Sequence, residues 1–481
     1  MRVPGTSRAL GWTLAVLAGG LHAQGAGGRE LAVEPVRYAL DLVVDYDAEQ
    51  LRGSCSVTVR NRSLAAVDHV PLLLYRLMSV SSVRGAQDAG LPFVERVVSF
   101  EDFPQLQVNA VTVSLARPLA SGDTTSIEVA WGGYLLGYAE TGMLYVKDRV
   151  DTAFTILRND AFAFPLVGYP SFAVNHAAPL PSFEYVVSVT VPARLTVANG
   201  GRLVGRTVHG GAVTYVYRNI LPAWRIDVAV ARYGVLESGS TRVFHLAGDS
   251  AGGARVLRAV AGAMRLYTDW FGPLRGTPSF TVTEIPDGWG SQADVTGIIQ
   301  TAAAFQDSTR QHEVYHEVSH QWNVPPLDRP SPRWNEGLAT FLEYLTVEKL
   351  EGRATLAGQE DSTIERLREM FAAEPGYRTI PLIQYGKEQL TGLSYSVGFL
   401  LFDVLYRLAG EGEFNSIVGG FYRRYAESGA STDDFVRYAQ RVAGDRLRPF
   451  FDDWVYTTKW YDQLSAGASV ADFVRRYRMP R

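Results

Sequence analysis

The stretch His312–Trp322 reads HEVYHEVSHQW and writes the pattern H-E-x-x-H twice, with His316 shared between the copies. On a helix, residues four apart stand one turn apart on one face, so His312, His316 and His320 form a single stripe. Two imidazoles from such a pair can hold one Zn²⁺ while the glutamate after the first histidine polarises a water. The first register uses His312, Glu313 and His316; the second uses His316, Glu317 and His320. Helical spacing satisfies both. Downstream, PRWNEGLATFLEY places Glu336 at the start of a second helical pattern, with Glu343 two turns later. Two histidines and one glutamate, with the fourth position left to water, make a catalytic set, so one Zn²⁺ per chain is expected.

Outward from this stretch, the two directions of the chain read differently. From about residue 30 to 236 the pattern has period two: YALDLVVDYDAEQLRGSCSVTVRN puts Tyr38, Leu40, Leu42 and Val44 on one side, and Gly, Pro and Asn turn signals separate later runs. The proline-rich segment Ala161–Pro181 reads as a long ordered loop. After Leu246 the period becomes helical, with one strand at SFTVTEIP and helices over ARVLRAVAGAMRLYTDWFG, ATFLEYLTVEKL, TIERLREMFAAE, YSVGFLLFDVLYRLAG and three later segments. Ser431 and Asp434 have the spacing of a capping box. The expected architecture is multidomain α+β: a signal peptide over 1–23, an antiparallel β sandwich or saddle domain over 30–240, and an α-rich domain with a small sheet over 245–481.

Composition narrows the function. The 481 residues carry 46 basic and 50 acidic side chains, a formal charge of -4, without long runs of either sign, so no nucleic-acid partner is expected. Arg2 and Arg8 precede an apolar run from Ala9 to Leu21, followed by Leu21-His22-Ala23 as a cleavage site. That order is a secretory signal, too short to span a bilayer, so export to a periplasm or the outside is expected, with no membrane insertion after cleavage. Cys55 is the single cysteine, which excludes an internal disulfide. Nothing in the sequence sets the oligomeric state.

HEVSHQW followed by WNEGLATFLEY resembles the active-site signature of the aminopeptidase N-like zinc metallopeptidases. The resemblance selects the second register: it implies His316, His320 and Glu336 as zinc ligands and Glu317 as the base, on a thermolysin-like catalytic domain. Fifteen residues, 321 to 335, separate His320 from Glu336, three fewer than is usual in that family. A shortened loop through PPLDRPSP absorbs the difference if packed helices, and not their connection, set the ligand spacing. Trp322-Asn323-Val324 also resembles the related glycyl-aminopeptidase type. His312 is left as a neighbour on the same helix: it either touches the rim of the site or donates a hydrogen bond behind the ligands, or, as the favoured expectation, is a partly exposed histidine.

Two further residues follow from the resemblance. Asp294, in SQADVTGII, stands where the family places a glutamate that holds the substrate's free amine, and is one methylene shorter. Tyr395, in GLSYSVGFLLF, matches the tyrosine whose hydroxyl supports the oxyanion, a task suited to an O–H donor. The resemblance therefore implies a zinc peptidase acting on peptides, most directly an aminopeptidase. The alternatives are a broader zinc endopeptidase with a more open cleft, and a non-catalytic scaffold retaining the fold. No counterpart of the family's glutamine- or glutamate-bearing loop is found near ILRNDAFAFPLVGYPS.

Overall fold

The protein is described by a computed structural model covering residues 31–176, 180–276 and 279–478. The N-terminal run read as a signal peptide lies outside the described residues. Strand Val33–Asp45 buries Tyr38, Leu40, Leu42 and Val44 on the side that the alternation predicted. It pairs antiparallel with Gln50–Asn61 and parallel with Glu184–Pro192, at the centre of a seven-stranded sheet. The parallel pair joins segments far apart in sequence, which no local pattern announces. A four-stranded sheet built on Val67–Tyr75 and Gln107–Leu119 packs with it, and Val57, Leu72, Leu74, Val111 and Trp131 lie in their shared core. The proline-rich segment is a loop for most of its length. It also contributes the two-residue strand Leu166–Val167, paired with Leu72 and Leu73, and the short helix Phe172–His176.

A three-stranded sheet of Thr196–Ala198, Val228–Ala231 and Phe154–Leu157 leads to the second half of the molecule. A small apolar cluster of Phe154, Ile156, Ala229, Tyr233, Phe244 and Trp289 draws on both halves. Beyond it lies a five-stranded sheet in the order Gly234–Ser238, Thr241–His245, Phe280–Ile285, Gly297–Thr301, Gln292–Asp294. Its three central strands run parallel and its edges are antiparallel. Every residue of Phe280–Ile285 and Gly297–Thr301 is buried, the expected state of a strand covered on both faces. Gly234–Ser238, which reads as the last of the β-rich run, is an edge of this second sheet.

Helices cover the sheet and form the largest apolar core, drawn from Val243 to Val474. Helix His312–Ser319 packs against both Ser250–Phe271 and Trp334–Glu351. Helix Thr391–Ala409, buried over most of its length, is the one described helix apolar and long enough to cross a membrane. The capping box forms: the Ser431 hydroxyl accepts from the Asp434 N–H, and the Asp434 carboxylate accepts from the Ser431 N–H. Arg448–Phe451, the wider-wound turn Asp452–Tyr456, and Lys459–Ser465 are too short to show a period; stacked, buried Trp454 and Trp460 hold them.

One helix crossing positions the candidate site. Trp334–Glu351 and Thr391–Ala409 touch at Gly337 and Gly398, where a Cβ on Gly337 would lie 2.3 Å from the Gly398 Cα. Only two glycines permit this approach. Glu336 and Tyr395 stand one and three residues before the contact, so the crossing carries them to the same place.

Candidate metal centre

Helix His312–Ser319 continues through a single 3-10 turn, His320–Trp322. His316 and His320 therefore keep their one-turn offset, with ring centroids 4.9 Å apart. Both Nε2 atoms face one oxygen of Glu336: His316 Nε2 lies 3.6 Å and His320 Nε2 3.4 Å from Glu336 Oε2. The three ligand atoms lie within 4.8 Å of one another, the one such group of histidine, cysteine or carboxylate side chains among the described residues. Tetrahedral zinc with ligand bonds of about 2.0–2.2 Å requires donors roughly 3.4 Å apart. Two imidazoles and a carboxylate at these separations fit that ion.

The back of the site explains why these nitrogens point inward. The His316 Nδ1–H donates to Glu343 Oε2 at 3.1 Å, leaving its Nε2 lone pair for a metal. His320 Nδ1 pairs with the Asn323 side chain at 2.7 Å. Burial opposes the ionised state of Glu336, but His320, His316 and Arg333 outweigh it and hold its carboxyl well below the usual range. Arg333 donates to Glu336 Oε1 at 3.1 Å from a left-handed backbone, φ 54°. Neither Glu343 nor Arg333 had a role from sequence. The signal for Glu343 was its seven-residue offset from Glu336, which puts both on one helix face.

The two glutamates of the doubled motif are separated by their surroundings. Glu313 is paired with Arg310 and lies near Gln300 and Thr301, so its carboxylate is engaged away from the histidines. Glu317 is buried; desolvation raises its pKa, opposed by the adjacent His316 and His320. The Gln-Trp that follows His320 has structural partners: Gln321 Nε2 donates to the Asp294 carbonyl at 2.7 Å, and Trp322 Nε1 donates to the Gly272 carbonyl at 2.9 Å. These bonds tie the end of the metal-bearing turn to the sheet edge and to helix Ser250–Phe271. Tyr395 lies with its ring parallel to His316, centroids 6.1 Å apart. Burial, then the Glu336 carboxylate, drives its hydroxyl pKa far up, so it remains an O–H donor.

Asp294 is placed differently from the others. It ends strand Gln292–Asp294, and its carboxyl lines a small cavity with Tyr185, Asn199, Gly200, Asp227 and Thr283. None of His316, His320, Glu317, Glu336 or Tyr395 lines that cavity. Its Oδ1 is buried without a hydrogen-bond partner, and burial, followed by Asp227, pushes its pKa up to about 7. Two residues earlier, Gln292 Oε1 accepts from Arg225 at 2.6 Å and from Arg158 at 3.3 Å. Arg158 is itself sealed against Asp148, both side chains 0% exposed. The segment ILRNDAFAFPLVGYPS thus brings Arg158 to this sheet edge, and Asp160 to Arg225.

Residues 295–454 match the model of the peptidase family M1 domain. Aminopeptidase M1-B of Oryza sativa subsp. japonica is 24% identical over 301 residues, covering 57% of this chain and 34% of that protein. Aminopeptidase A of Gloydius brevicauda is 21% identical over 456 residues, covering 88% of this chain and 46% of that one. The chain thus spans about a third to a half of the length of these relatives. Among solved structures, the M1 zinc metallopeptidase of Deinococcus radiodurans superposes with a TM-score of 0.63 at 19% identity, over 94% of this chain and 96% of that one. A mutant of that enzyme bound to a Tyr-Ser-Ala substrate superposes at 0.65 with 20% identity, over 88% and 94%. The architecture of sheets followed by helices is therefore that of the two-domain M1 metallopeptidases. With this domain match and these relatives, residues 295–454 are similar to the peptidase family M1 domain, and the chain resembles the M1 aminopeptidases over part of their length.

Proposed function

We propose that this protein is a zinc-dependent peptidase that removes N-terminal residues from peptides. The observation that carries the reading is the convergence of His316 Nε2 and His320 Nε2 on Glu336 Oε2 at 3.6 and 3.4 Å, beside the buried Glu317. When bound, zinc supplies a Lewis acid for the scissile carbonyl and lowers the pKa of its water. Glu317 takes the water's proton and returns it to the departing amine, a task favoured by the upward shift that burial gives its carboxyl. The Tyr395 O–H donates to the oxygen on which negative charge develops. His316 is kept in the required tautomer by Glu343, whose Oε2 accepts from its Nδ1–H.

Asp294 is the proposed holder of the substrate's ammonium, supported by its position in the family pattern and by its unpartnered oxygen. Its direction into a separate cavity is the observation that favours a second reading, a peptidase of broader specificity. A scaffold without activity is opposed by the presence of ligands, base and tyrosine together. The test uses purified protein with its zinc content measured. Glu317→Gln is expected to keep one zinc per chain and to lose about 10²–10⁴ in kcat; full turnover with zinc in place would overturn the assignment. A free-amine peptide is expected to be cleaved far faster than its N-acetyl twin, and equal rates would move the enzyme to the broader class. Export is proposed from Arg2, Arg8 and the apolar run that follows, and N-terminal sequencing of the mature protein checks it.

A further inference from the structure

The first histidine of the doubled motif is not used by the register that converges on Glu336, yet it is not idle on the helix surface. His312 Nδ1 pairs with Glu343 Oε1, the oxygen that His316 leaves free. The Glu343 carboxylate is thus shared between two imidazoles one turn apart, each taking one oxygen. Glu343 is only 7% exposed, so an oxygen without a donor there would be a buried orphan. The His312 ring is itself held, stacked on Tyr344 with centroids 5.4 Å apart and planes at 26°. Tyr344 follows Glu343 on helix Trp334–Glu351, so that helix fixes both the ring and the carboxylate it grips.

We propose that His312 is a positioning residue for the metal centre, acting through Glu343 to fix the ring of His316 with its Nε2 toward Glu336. The inference rests on the zinc reading above. A carboxylate bonded through one oxygen can rotate about its terminal bond; one gripped through both cannot, and the tautomer and plane of His316 follow it. Groups that orient a metal's histidine in this way typically change metal affinity by about 10–100-fold when removed. The three-histidine stripe is then one unit: His316 and His320 contact the ion, and His312 sets the partner that aims His316.

The test is zinc affinity of the full chain, measured by competition between the metal-free protein and a fluorescent chelator, together with the melting temperature of the metal-free protein. His312→Phe keeps a ring on Tyr344 and removes the donor; it is expected to weaken zinc binding by about 10-fold or more with little change in the metal-free melting temperature. His312→Asn, whose amide can reach the same oxygen, is expected to recover part of the loss. In a Glu343→Ala background, His312→Phe is expected to cause no further weakening. Wild-type zinc affinity in His312→Phe would overturn the proposal, as would a lowered metal-free melting temperature with affinity unchanged, which is the signature of a purely structural ring. Failure of the unaltered protein to bind zinc would instead overturn the reading beneath it, and is distinguished by that control.

Discussion

Two clusters of buried acids, one at the metal centre and one at the sheet edge Gln292–Asp294, settle their charge in opposite ways. At the metal centre two carboxylates have cationic or N–H partners: Glu336 faces His316, His320 and Arg333, and Glu343 faces His312 and His316. Both are held below the usual carboxylate range despite burial. In the cavity behind the edge strand, Asp294 sits beside Asp227, has an unpartnered oxygen and is pushed up to about 7. Burial is common to both. The difference is which neighbours outweigh the burial: imidazoles and a guanidinium in direct contact hold Glu336 ionised, whereas at Asp294 the Asp227 carboxylate adds to burial and outweighs Arg225 and the Val295 N–H.

The largest expected effect breaks the ordered side of that contrast. Glu336→Ala leaves two imidazoles without their third ligand and Arg333 without its partner; zinc content should fall to near zero and kcat/KM by at least about 10³, read by metal analysis and steady-state rates. Next, Tyr395→Phe removes one O–H and no charge. We expect kcat to drop about 10²–10³ with zinc retained, and an unchanged kcat would remove Tyr395 from the oxyanion role.

A smaller effect tests what holds the ordered side together. Gly337→Ala puts a methyl 2.3 Å from the Gly398 backbone. Separating the two helices should cost about 1–3 kcal/mol, seen as a lowered melting temperature. It should also lower kcat, because Glu336 and Tyr395 move apart.

The smallest effect lies on the other side of the contrast and concerns pH. An unfolded Asp294 carboxyl titrates near 3.8 and the folded one at about 7, so between them the native state binds a proton that the unfolded state does not. Its contribution to stability is full below about 3.8 and is lost as pH rises toward about 7. Asp294→Asn should flatten that part of the profile, in thermal melts compared from pH 4 to 8. Should the variant also raise KM for free-amine peptides alone, the carboxyl serves substrate as well as fold; an unchanged KM confines it to the cavity.

Much of this was legible in the sequence, for reasons tied to particular residues. The alternation at Tyr38, Leu40, Leu42 and Val44 marked a buried strand face, and the stripe of three histidines with Glu336 marked the cluster that could hold a metal, because both patterns are local. Choosing between Glu313 and Glu317 needed a family pattern; in the fold, Arg310 engages the first. The grip of His312 and His316 on Glu343 could not be read locally, since it joins two helices 27 and 31 residues apart in the chain. The inward turn of Asp294 was hidden for the same reason: Tyr185, Asn199 and Asp227 come from strands and turns far upstream. Arg333 adopts a left-handed backbone that arginine rarely takes, so composition gave no warning of it.

The contact between Gly337 and Gly398 bears on how such a chain can diversify. Because bare backbone meets bare backbone there, the offset between Glu336 and Tyr395 is insulated from the lengths of the connections around them. The span of fifteen residues between His320 and Glu336 can therefore change in length without altering how Glu336 stands to Tyr395. The connections around the crossing are free to change in length, while Glu336 and Tyr395 keep one alignment.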